Sequence, residues 1–92
     1  MTNYIALGEY TAYSEQARNA AGRRFAYMKN LACQLNRMAE QPDTVVQEEA
    51  LRSAVADIIA SDKEMRAALE KANASAPLCG KPDITLNSLS RF

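Results

Sequence analysis

Apolar residues recur at Tyr10, Tyr13, Ala17, Ala21, Phe25, Met28, Leu31, Ala32, Leu35, Met38 and Ala39. At about 100° per residue these positions fall on one contiguous side of a helix. The opposite side carries Arg18, Asn19, Arg23, Lys29, Asn30, Gln34 and Arg37. The pattern predicts a first helix that begins between Thr2 and Thr11 and ends near Glu40. Gly8 and Gly22 each cost about 1 kcal/mol relative to Ala, which so long a periodic run absorbs. Ala17, Ala20, Ala21 and Gly22 form a smooth patch where a second helix can approach closely.

A turn signal follows at Gln41-Pro42-Asp43-Thr44. Pro42 lacks a backbone donor and ends the first helix, and Thr44 with Gln47 fits a capping box opening a second. The second helix is expected from about Val45 to Asn73, with Leu51, Ala54, Val55, Ile58, Met65, Leu69 and Ala72 on one side. Ser61-Asp62-Lys63-Glu64 fits a further capping box, which offers a kink near Ala60. With no Gly or Pro there, the pattern favours a continuous helix.

Beyond Ser75 the chain changes character: Pro77, Gly80 and Pro82 exclude a long regular element. Ile84, Leu86, Leu89 and Phe92 make this tail too apolar for a solvated spacer. The organisation is therefore a helical hairpin domain over 1–76 and an irregular tail over 77–92, packed on the hairpin or ordered by a partner. The fold class is all-α, an antiparallel two-helix hairpin.

Two charges interrupt the stripes. Arg24 lies within that of the first helix and Asp62 within that of the second. A turn near Pro42 pairs residues whose numbers sum to about 84, which brings Arg24 and Asp62 to nearly the same level. They are the expected structural ion pair, fixing register more than adding stability, because desolvation offsets much of the attraction. Val46 and Ile59 point off the second stripe, and Tyr27 lies at the edge of the first. One hairpin has no second layer to cover them, so a homodimer forming a four-helix bundle is expected.

Charge and composition narrow the function classes. The chain has 92 residues, 11 basic and 11 acidic groups, and no histidine. Residues 1–40 carry five basic and three acidic groups, residues 41–76 four and seven. The zero net charge gives no overall pull towards nucleic acid or anionic lipid. No apolar run approaches the ~18 residues a membrane span needs, and the start lacks the basic and apolar regions of a signal peptide. A cytoplasmic protein with no membrane partner is expected. Cys33 and Cys79 lack zinc-site spacing, and the hairpin holds them too far apart for a disulfide.

Without histidine, and without a nucleophile beside a recognisable base, catalysis has no candidate residues. No cofactor or metal site is expected. Nucleic-acid binding is the secondary reading: Gln16 to Ala39 holds five basic residues and no acid, with Arg18, Arg23 and Lys29 as candidate phosphate contacts. The neutral total weighs against it. Protein interaction is the leading class. Tyr4, Leu7, Tyr10 and Tyr13 at one terminus, and Ile84, Leu86, Leu89 and Phe92 at the other, converge on one end of the hairpin as a core extension or partner surface. The expected function is a small non-enzymatic accessory, regulatory or inhibitory module of bacterial or phage type, binding another protein.

Overall fold

The computed structural model describes residues 3–89. Helix α1 spans Tyr4–Glu40 and α2 spans Glu48–Ser75. A single 3-10 turn, Ala76–Leu78, and a short helix α3, Leu86–Leu89, complete the chain. The two long helices pack side by side as an antiparallel hairpin. Among the described residues no helix is long and apolar enough to cross a membrane.

The α1 N-terminus is capped by Asn3, whose side-chain oxygen accepts from the Ala6 amide at 3.1 Å. At the other end the Gln41 amide donates to the Arg37 and Met38 carbonyls, and Pro42 prevents continuation. Helix α2 opens three residues later than the capping-box reading has it, because Thr44 turns backwards. Its amide donates to the Gln41 carbonyl at 2.9 Å and its hydroxyl to Gln41 Oε1 at 3.4 Å. Gln47 is then the N-cap and makes no side-chain capping bond. Glu48 and Glu49 in the first turn favour the helix electrostatically instead. Helix α2 runs unbroken through Ala60. Its far end stops with Gly80 at φ 73°, a left-handed conformation that lets the Lys81 amide reach the Ala76 carbonyl at 2.9 Å.

Packing divides the hairpin into unlike halves. Near the free ends, Ala17, Ala20 and Ala21 of α1 meet Met65, Ala68, Leu69 and Ala72 of α2, all buried. Small residues on both sides allow the close approach that the alanine patch predicted. Ser14 and Ser75 are buried here with their hydroxyls occupied: Ser14 donates to the Tyr10 carbonyl at 2.5 Å and Ser75 to Glu9 at 3.2 Å. In the turn half no residue between Gly22 and Ala60 is fully buried. Leu35 remains 46% exposed, Val55 44% and Ile59 48%.

The shape reflects this. The molecule measures 65 × 22 × 13 Å, with a radius of gyration of 17.7 Å. A compact chain of this length would have a radius near 12 Å. Its accessible surface is 6751 Å², against about 5,300 Å² for a compact monomer of the same mass.

Candidate functional site

The tail is strapped along one side of the free-end half. The Asn73 side chain grips Ile84 from both directions, accepting from its amide at 2.7 Å and donating to its carbonyl at 2.9 Å. The Tyr10 hydroxyl donates to the Pro82 carbonyl at 3.3 Å. Leu89, 2% exposed, joins the core cluster, and Ile84 packs against it. Leu86 and Leu89, with Ala21, Phe25, Met65 and Arg66, line a small cleft where α3 meets the hairpin.

The terminal residues named as a partner surface therefore divide. Tyr10, Ile84 and Leu89 are engaged within the chain. Tyr13 lies under the Lys71 ammonium, 5.3 Å from the ring centre, and Leu7 is half-buried. Tyr4 and Leu86 are exposed. Phe92 lies outside the described residues. No sequence pattern marks Asn73 as the clamp: an asparagine near a helix end reads equally well as a solvated polar residue.

The charges form a short network. Arg24 Nε donates to Asp62 Oδ1 at 3.0 Å, and Arg66 Nε to Oδ2 at 2.9 Å, so both carboxylate oxygens are occupied. The Asp62 pKa lies below its ordinary 3.8. The largest cause is the Arg66 hydrogen bond; partial burial opposes it, and the Arg66 charge and Arg24 add to the lowering. Arg66 follows Asp62 by four residues, a spacing that signals such a pair. Beside this network Arg23 pairs with Glu64 at 2.5 Å.

That second pair bears on the basic residues of α1. Arg23 is bound to Glu64, and Lys29 lies 5.6 Å from the Phe25 ring centre. Arg18 is exposed. It shares a side of α1 with Lys29, eleven residues on, whereas Arg23 points elsewhere. The three do not form one continuous basic stripe.

A second, apolar feature is in the turn half. Val46, Leu51, Val55, Ala56 and Ile59, flanked by Glu48 and Arg52, line an open groove of about 470 Å³. Glu48 and Arg52 form an ion pair one helical turn apart. Met28 and Leu35 of α1 and Val45 of the loop are also exposed in this half. Val46 and Ile59 stand out already in the sequence, because they miss the main stripe. Leu51 and Val55 do not, since they belong to it. A single partner helix covers only a narrow line of side chains, and an apolar face about 100° wide extends beyond that line.

Cys33 is exposed on the turn half, and Cys79 is half-buried just past α2 with its thiol directed at the Ser75 and Ala76 carbonyls; both are free. Compared with models of protein families, with curated proteins and with solved structures, the chain finds no match.

Proposed function

We propose that this chain is a non-enzymatic protein-interaction module, of accessory or regulatory type, whose working surface is the uncovered apolar face of the turn half. One observation carries the reading. Val46, Leu51, Val55 and Ile59 form an apolar groove, in a region where no residue of the hairpin is fully buried. Apolar patches of this kind, bordered by polar groups, are what docking surfaces look like. The absence of histidine supports a role without acid–base chemistry. The pairing of Arg23 with Glu64 favours protein over nucleic acid as the ligand.

The test is affinity capture from the native host with two baits, the wild-type chain and Val55→Glu/Ile59→Glu, followed by direct binding of each captured protein in purified form. The reading expects purified partners that bind the wild type and lose at least about tenfold in affinity for the variant. Partners that bind both baits equally would refute it.

A further inference from the structure

We infer that the occupant of the turn-half face is a second copy of this chain, overlapping turn half on turn half and running antiparallel to the first. The inference rests on the reading of this face as a docking surface and names what docks there.

Surface area provides the first argument. The chain exposes about 1,450 Å² more than a compact monomer of its mass. A stable interface removes about 800 Å² from each partner. Residues 25–40 of α1 span roughly 24 Å at ~1.5 Å per residue. Multiplied by the 22 Å width of the hairpin, that gives a flat footprint of about 500 Å² per copy and about 1,000 Å² for two, the lower bound of a specific interface. Corrugation by side chains increases it further.

The tail provides the second argument. Arg66 lines the cleft beneath α3. Ile59 and Val55 precede it by seven and eleven residues, close to two and three full turns, so they share its side of α2. On α1, Ala21 lines the same cleft, and Met28 and Leu35 follow it by seven and fourteen. The tail and the uncovered strip thus occupy one continuous side of the hairpin. Each chain covers the free-end half of that side with its own Ile84 and Leu89 and leaves the turn half bare.

A second hairpin laid parallel, turn beside turn, would bring tail against tail and hold the two layers apart. Laid antiparallel, each turn half fills the space that the other's tail leaves free, and the two tails lie at opposite ends. The two-fold axis then crosses α1 near the middle of residues 25–40, beside Ala32, which follows Ala21 by eleven residues and so lies on the stacked side. Stacked helices lie about 8–10 Å apart, so the two copies of Ala32 face each other within roughly 10 Å. Ala39, on the same side seven residues on, is then separated from its copy by roughly 20 Å, whereas a parallel stack, with α1 over the partner's α2, holds both positions equally far from their copies.

The experiment uses the full chain carrying Cys33→Ser/Cys79→Ser and one new thiol, Ala32→Cys or Ala39→Cys. Sedimentation equilibrium reads mass, a short bismaleimide reads the proximity of the new thiols, and an apolar fluorescent dye reads the uncovered face. The expected result is a dimer at tens of micromolar that cross-links through Ala32→Cys and not through Ala39→Cys. Val55→Glu/Ile59→Glu, which alters exposed positions and should keep its helical circular dichroism, weakens association by about 100-fold. A dimer unaffected by that variant overturns the assignment of the face. A dimer in which Ala32→Cys cross-links no better than Ala39→Cys overturns the antiparallel arrangement. A chain monomeric at every concentration overturns self-association. Dye binding sensitive to the variant would then leave the docking-face reading standing, and a monomer that binds no dye would sink both.

Discussion

Leu89→Ala isolates what the tail does. Leu89 is 2% exposed and sits among Ala17, Ala20, Ala21, Met65 and Leu69. Burying a leucine side chain contributes about 1.5–3 kcal/mol, and truncation adds a cavity term where the surroundings cannot collapse. Here they are largely alanines, too short to close the gap. The expected loss is therefore about 2–3 kcal/mol, within the range of buried Leu→Ala changes. A domain this small has a total stability near 5 kcal/mol, so this single change would remove about half of it. At roughly 4–8 °C per kcal/mol for a domain of this size, thermal melts should shift down by about 10–20 °C. The assay is paired thermal and urea unfolding followed by circular dichroism, at one fixed protein concentration because association also shifts the midpoint. Leu86→Ala, at a 40% exposed position of the same short helix, is the control and should cost under about 1 kcal/mol. If Leu89→Ala lost no more than Leu86→Ala, the tail would not be part of the core, and the division of the hairpin into a closed and an open half would fail.

Three further outcomes follow from the polar contacts. Arg24→Met and Asp62→Leu, measured singly and together, should show a coupling of about 0.5–1 kcal/mol; strict additivity would contradict the pairing. Asn73→Ala should cost about 1–2 kcal/mol through two lost hydrogen bonds to Ile84, and Asn73→Asp should cost more at neutral pH and recover in acid, where a protonated carboxyl can again donate to the Ile84 carbonyl. Equal stability of wild type and both variants in urea would refute the clamp. The Asp62 carboxyl, facing Arg24 and Arg66, has a lowered folded pKa. Its stabilisation is thus complete above its ordinary 3.8 and is lost as pH falls from there through the folded value. Urea midpoints of wild type and Asp62→Asn should therefore differ at pH 6, and the difference should shrink as pH falls below 3.8; a difference that stays constant into acid would rule out the assignment.

Much of the architecture was legible in the residues. Pro42 locates the turn, and the alternation of three and four locates both helices. The register arithmetic brings Arg24 to Asp62 at 3.0 Å. What escaped the pattern depends on tertiary geometry. Thr44 carries the signature of a cap, yet its hydroxyl and amide turn back to Gln41 because the chain is still completing its reversal there. Leu51 and Val55 have the same periodicity as Leu69, but only Leu69 lies where alanines let the helices close and Leu89 seals the side. Periodicity identifies which side of a helix is apolar. It does not reveal how far along its length that side finds cover, and the candidate surface depends on that difference.

The most direct measurement is amide hydrogen exchange across a dilution series from about 1 to 200 μM, which reads local opening along each helix. Residues 10–21 and 61–76, sealed by the chain's own core, should be protected equally at both extremes. Residues 26–59 should exchange quickly when dilute and become protected as concentration rises. Protection of the turn half that is strong at every concentration, or weak at every concentration, would contradict a face that a second copy covers.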